Sequence, residues 1–151
     1  MVSVPLNQSS SRESRSDGRS EARFEALPDS VPPQNLEAEE AVLGGILLDP
    51  DAIGRIADVL QAEAFYLGAH REIYRTAVML HSQGKPTDLT AMCAWLADTG
   101  ALEKVGGQGR LVELVERITS TASIDQVARL VMDKFLRRQL IRSGNEVIAL
   151  G

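Results

Sequence analysis

Cysteine pairs, aromatic side chains, surplus positive charge and long apolar runs are all scarce or missing in this chain of 151 residues. Cys93 is the sole cysteine, which excludes a disulfide framework and a thiolate metal cluster and fits a reducing compartment. Aromatic residues make up 4% of the chain, too few for a platform on which single-stranded bases stack. A net charge of -5 lacks the basic excess of a self-sufficient nucleic-acid binder. No apolar run reaches transmembrane length, and the N-terminus has no apolar core of a secretory signal. A cytoplasmic protein with no membrane partner is expected. Period-two alternation is also absent over strand length, so the fold class is all-α.

What is present divides into a tail, a body and a long helix. Residues 1–32 are rich in Ser, Arg and Glu, with Ala22 the sole apolar residue between Leu6 and Phe24, a composition that predicts disorder. Val31-Pro32-Pro33 closes the tail as extended chain. Residues 33–119 then read as a compact bundle of about five short helices. Asn35 is placed to cap the first, Leu36 to Leu48, whose early turns carry Glu37, Glu39 and Glu40 where the helix dipole favours negative charge. Gly44-Gly45 in mid-helix costs about 1–2 kcal/mol of propensity and predicts a close crossing by another helix. Asp49 and Pro50 have the N-cap and first-position preferences of a second helix that buries Ile53, Ile56, Ala57 and Leu60. Phe65-Tyr66 is expected to plug the core at a connection. A third helix, Ala69 to Ser82, stops at Gly84 and Pro86. Thr87 or Asp88 caps a fourth, carrying Leu89, Met92, Cys93 and Leu96 and ending at Gly100. Leu102 to Gly107 forms a turn, and a fifth helix from about Gln108 to Ile118 buries Leu111, Leu114, Val115 and Ile118.

The long helix spans 123–151. Ser123 and Gln126 have capping-box spacing, and no proline follows them. At 1.5 Å per residue the helix runs roughly 40 Å, longer than a body whose radius of gyration is about 13 Å. Part of its apolar surface therefore lacks cover. Ile124, Val127, Val131 and Phe135 recur at helical spacing and are assigned to self-association. Leu136, Leu140, Val147 and Ile148 continue on an adjoining stripe. The competing reading breaks the helix at Gly144 and folds it back on its own bundle.

No catalytic, cofactor-binding or metal-binding residue is assigned. Gly84-Lys85-Pro86-Thr87 lacks the spacing and preceding strand of a phosphate-binding loop, and Gly106-Gly107-Gln108-Gly109 lacks the third glycine and the strand of a dinucleotide fingerprint. Both read as turns. His70 and His81 have no metal-ligand context and suit a hydrogen-bonded surface or a helix end. Cys93 suits core packing. Arg129, Lys134, Arg137, Arg138 and Arg142 make the long helix locally basic. Of these, Lys134, Arg137, Arg138 and Arg142 are the candidates for contact with an acidic partner or a phosphate; an ordinary solvated face is the alternative.

The run Pro33-Gln34-Asn35-Leu36-Glu37-Ala38-Glu39-Glu40-Ala41-Val42-Leu43-Gly44-Gly45-Ile46-Leu47-Leu48-Asp49 closely resembles the opening of the N-terminal domain of the bacterial replicative DNA helicase, the DnaB family. Phe65-Tyr66, His70-Arg71, Ile73-Tyr74, the run from Gly84 to Leu89, Gly100-Ala101-Leu102-Glu103 and Gly106-Gly107 fall in their family places. So does the stretch from Val131 to Ile141, with Lys134 and Arg138. The resemblance extends from Pro33 to the C-terminus and rests on the chain of motifs rather than on any one. Two departures stand out. Ser120 to Asp125 replaces the usual Pro-Ser-Ala-Ala-Asn type of turn, and Arg110 replaces an aromatic residue after the Gly-Gly turn.

The resemblance implies a collar domain of a ring-shaped 5′-3′ DNA helicase. Its ATP and Mg would belong to a RecA-like motor domain C-terminal to this segment. In the family the long helix and a following shorter one form a hairpin that packs on a neighbour's hairpin, and Gly151 falls about where that hairpin turns. Paired subunits, primase and a helicase loader are the implied partners, with DNA engaged only through the parent ring. On this reading the chain has no enzymatic activity of its own. An autonomous helical DNA-binding module using the basic face of the long helix is the alternative.

Overall fold

A computed structural model describes residues 31–118 and 123–150 of the chain, with backbone alone at 149 and 150. The expected tail up to residue 30, the turn at 119–122 and the hairpin turn at residue 151 lie outside the described residues. Among the described residues six α-helices follow one another: α1 (Leu36–Leu48), α2 (Ala52–Ile56), α3 (Gly68–Ser82), α4 (Leu89–Asp98), α5 (Gly107–Glu116) and α6 (Ile124–Leu150). Single 3-10 turns at Ala62–Ala64 and Glu103–Val105 separate α2 from α3 and α4 from α5. No strand occurs among the described residues, and the all-α expectation holds.

Helix α1 is the hub, packing against each of the other five helices. Asn35 accepts a hydrogen bond from the Ala38 backbone N–H at 3.0 Å, the expected N-cap. Apolar residues then occur around most of the helix circumference, as a helix surrounded by others requires; Val42, Leu43, Ile46 and Leu47 are all buried. The two glycines let neighbours approach. A Cβ on Gly44 would lie 2.8 Å from the Ile118 side chain and closer still to the Leu114 carbonyl at the end of α5. One on Gly45 would lie 3.3 Å from Ile124 at the start of α6. The predicted close crossing is thus two crossings, one per glycine.

Around α1 the core is filled by Ile53 and Ile56 of α2, Ile73 and Tyr74 of α3, Met92 and Leu96 of α4, Leu111 and Leu114 of α5, and Val127 and Val131 of α6. Phe65 is fully buried against Tyr74, with ring centroids 4.9 Å apart, and performs the predicted plugging; Tyr66 is half-buried. The Tyr74 hydroxyl donates to the Leu60 carbonyl at 2.7 Å, and burial pushes its pKa well up.

The helix stops are those read from Gly84 and Gly100. Both have positive φ, and behind each the chain makes paired 6→1 and 5→2 backbone bonds: Lys85 N–H to Leu80 and Gly84 N–H to His81, then Ala101 N–H to Leu96 and Gly100 N–H to Ala97. Four local readings shift. Helix α2 begins at Ala52, with Asp51 rather than Asp49 at its N-cap and Pro50 in the preceding turn. The Asp49 carboxylate accepts from the Asp51 N–H at 3.0 Å, so its capping chemistry is spent on an Asx turn. Helix α2 is also shorter than expected, leaving Ala57 and Leu60 beyond its end, although Leu60 is still buried. The predicted turn at 102–107 includes the 3-10 turn Glu103–Val105, stopped by Gly106 in the left-handed region.

Candidate assembly surface

The capping box predicted at the start of α6 forms in both directions. Gln126 N–H donates to Ser123 Oγ, and Ser123 N–H donates to Gln126 Oε1, each at 3.3 Å. From there α6 runs as one uninterrupted helix past Gly144 to Leu150. A Cβ on Gly144 would meet nothing within 4 Å, so the break and fold-back considered for this glycine do not occur among the described residues.

The helix has two halves. In the first, Val127, Ala128 and Val131 are buried in the core, while Ile124, Met132 and Phe135 pack against it half-buried. This corrects the assignment of Ile124, Val127, Val131 and Phe135 to self-association. That stripe faces α1 and the body of the same chain, which covers it before any second copy arrives. In the second half, every described side chain from Gln139 to Ile148 is exposed. Leu136, Leu140 and Val147 recur along one line and Leu130, Ile141 and Ile148 along another, all of them large and exposed, with Leu140 at 72% and Ile148 at 76%. Uncovered apolar surface does exist on the long helix, but on the side turned away from the body.

The basic candidates separate in the same way. Arg138 turns inward and donates to the Pro33 carbonyl at 2.8 Å and the Ala64 carbonyl at 2.7 Å. Its guanidinium lies 5.5 Å from the Tyr66 ring and 5.9 Å from the Phe135 ring. Burial lowers its pKa, opposed by the Glu39 charge. These bonds remove Arg138 from the phosphate-contact candidates. Arg137 pairs with Asp133 at 3.2 Å on the exposed surface, and Arg142 donates to Gln139 at 3.3 Å; Lys134 is half-buried.

A polar cluster that sequence patterning does not reveal joins α1, α3 and α5. Glu39 and His70, each 1% exposed, meet with His70 Nδ1 2.7 Å from Glu39 Oε1, and the second Glu39 oxygen accepts the Tyr66 N–H. His70 Nε2 lies 3.1 Å from Arg110. A carboxylate only accepts and a guanidinium only donates, so a neutral ring protonated on Nδ1 satisfies both. His70 is therefore a buried bridge in the first turn of α3: the hydrogen-bonded helix-end position is as expected, the surface is not. Arg110 also binds Glu40 and Glu113, each at 2.9 Å, and Arg117 joins the same two carboxylates. Burial works to lower the Arg110 pKa, but the hydrogen bonds it donates to Glu40 and Glu113, with their charges, outweigh it and leave the pKa raised. The Arg110 bond, followed by the Arg117 charge, holds Glu113 below the usual carboxylate range. Arg110, which stands where the resemblance expects an aromatic residue, thus ties α5 to α1 by an ion pair with Glu40 and to α3 by its bond to the neutral His70 ring.

Glu39 lies three, four and seven positions before Val42, Leu43 and Ile46, and His70 stands in the same relation to Ile73, Tyr74 and Ala77. A polar residue at a core-face position on each of two helices was the signal available.

Among the described residues no group of three or more His, Cys, Asp or Glu could hold a metal ion. The glycines of the two phosphate-loop lookalikes serve as a helix stop at Gly84 and a 3-10 stop at Gly106. These residues do not fit a bound nucleotide or its Mg. Cys93 is half-buried, and burial raises its pKa, as suits packing rather than nucleophilic attack. No helix among the described residues is long and apolar enough to cross a membrane.

A family model described as the DnaB-like helicase N terminal domain matches residues 31–133. The chain is 59% identical over 121 residues to the replicative DNA helicase DnaB of Nostoc sp. strain PCC 7120, covering 80% of this chain and 14% of that protein. It is 39% identical over 121 residues to the replicative DNA helicase DnaC of Bacillus subtilis, covering 80% of this chain and 27% of that one. Among solved structures, the N-terminal domain of DnaB helicase from Mycobacterium tuberculosis superposes with a TM-score of 0.75 at 35% identity, covering 79% of this chain and 86% of that one. A DnaB-like replicative helicase described with its interactions with primase superposes with a TM-score of 0.68 at 34% identity, covering 76% and 27%. The chain therefore spans roughly a seventh to a quarter of the curated relatives it matches.

Proposed function

The chain belongs to the DnaB-like helicase N-terminal domain family, and from that premise we propose that it is an assembly and partner-docking domain of a replicative DNA helicase. The observation that carries this is the exposed apolar surface of α6: Leu136, Leu140 and Val147 in one line, with Ile141 and Ile148 beside it, every described side chain from Gln139 to Ile148 being exposed. Such a surface costs about 25 cal/mol per Å² of apolar area left in water. A second copy of the chain, presenting the same stripe, is the occupant that would cover it. The action is steric: paired bodies set the spacing of subunits in a ring and offer a surface to primase and to a helicase loader.

The parent protein would be an ATP-dependent 5′-3′ helicase acting in the bacterial cytoplasm. Its nucleotide and Mg would be held by a motor domain, since the residues described here provide no cradle for either. DNA would be engaged through the assembled ring. The alternative of an autonomous DNA-binding module loses support from the basic face it needs, because Arg138 is committed to backbone carbonyls and Arg137 to Asp133.

Sedimentation velocity over a range of concentrations, repeated with purified primase, tests the proposal. Self-association that weakens in Leu140→Asp, together with a complex containing primase, is the expected result. A strict monomer at the highest soluble concentration that also ignores primase would overturn it. So would tight, salt-sensitive DNA binding that collapses in an Arg137→Ala, Arg142→Ala variant.

A further inference from the structure

We infer that Arg138 is a positioning residue that sets the line along which the free half of α6 leaves the body. Its two carbonyl partners belong to different parts of the chain: Pro33, just before α1, and Ala64, in the 3-10 turn ahead of α3. The guanidinium is flanked by the Tyr66 ring of that connection and the Phe135 ring of its own helix. The connection is itself held fast, because Arg71 donates to the Phe65 and Tyr66 carbonyls while Glu39 accepts the Tyr66 N–H. Arg138 is thus fixed to a rigid frame and not to a loose loop.

Its place along the helix gives this anchor its leverage. Arg138 is half-buried, and every described side chain after it is exposed. Among the described residues it is also the one α6 side chain that hydrogen-bonds to another element. The other contacts of the docked half are apolar, and apolar contact is non-directional, so it resists separation better than it resists rocking. A planar guanidinium fork with two fixed acceptors is directional. Beyond it α6 continues for about 18 Å at 1.5 Å per residue, so a tilt of roughly 10° at Arg138 would displace the tip by about 3 Å. The consequence for subunit spacing rests on the assembly role proposed above; the exit line itself does not.

The test uses the full chain with Cys93→Ser, Ser82→Cys and Asn145→Cys, carrying a nitroxide at each of the two new positions, both of which are exposed. Spin-labelled protein is diluted with unlabelled protein, so that double electron–electron resonance reports the distance within one chain whether or not copies associate. A narrow distribution is expected for Arg138, about twofold broader in Arg138→Met and intermediate in Arg138→Lys, because a lone ammonium lacks the fork. Val131→Ala, which weakens the docked half without touching the anchor, keeps the narrow distribution. An unchanged width in Arg138→Met, or equal broadening in Val131→Ala, overturns the inference. If Arg138→Met fails to fold by circular dichroism, Arg138→Lys decides: broadening supports the anchor and an unaltered width removes it. Sedimentation of the same variants separates the two claims, since a monomeric chain with an Arg138-dependent width keeps the anchor and discards the assembly role.

Discussion

The two halves of α6 both carry large apolar residues at helical spacing on one continuous helix, yet they have opposite fates. In the first half, Val127, Ala128 and Val131 disappear into the body; in the second, Leu140, Val147 and Ile148 stand in solvent. Helical periodicity does not distinguish them. The difference is where the body ends. Helix α1, through Gly45, draws the start of α6 close, while α2 and the 3-10 turn at Ala62–Ala64 extend that cover along the docked half. Past Arg138 no element among the described residues provides cover. A long helix on a small body thus stabilises the fold with its first half and, on the assembly role proposed above, is free to adhere with its second.

The sharpest way to break this comparison is to place the same charge in each half. Val131→Asp buries a carboxylate at a position 1% exposed and is expected to cost about 4 kcal/mol or more, enough to unfold a domain of ordinary stability. Leu140→Asp lies in solvent in the isolated chain and should change monomer stability by no more than about 0.5 kcal/mol. Urea denaturation at low protein concentration checks both, and equal losses would erase the distinction between the halves. A smaller effect sharpens it further. Gly44→Ala forces a methyl group into the Leu114 carbonyl and the Ile118 side chain and should destabilise by about 1–3 kcal/mol, outweighing its gain in helix propensity. Gly144→Ala meets nothing and should stabilise the free half locally by up to about 1 kcal/mol. Circular dichroism would then show greater helicity with no change in the denaturation midpoint of the body.

Much of this architecture was legible in the chain itself, because its signals are local. The Asn35 cap, the glycine stops at Gly84 and Gly100 and the Ser123–Gln126 box depend on neighbours within a few positions, and the structure places each as read. The glycine pair in α1 also announced its crossing, since an unfavourable residue in mid-helix needs a packing reason. What escaped depends on residues far apart in sequence. Glu39 and His70 are 31 positions apart, and periodicity alone could not pair them, although each stands on the apolar face of its helix. Arg138 falls seven positions after Val131 and three after Phe135, also on the buried face, but the four other cations on its helix give it the pattern of a surface charge. The stripe of Ile124, Val127, Val131 and Phe135 departs from expectation for a related reason. Periodicity finds apolar stripes, but only the position of the body decides which stripe is already covered.

Hydrogen–deuterium exchange as a function of protein concentration tests the division of α6 most directly. The amides of residues 139–148 are predicted to gain protection as concentration rises, as free arms find partners, while those of 124–135 keep the protection conferred by their own body. Exchange along α6 that is independent of concentration, or a concentration-dependent gain confined to 124–135, would contradict the account.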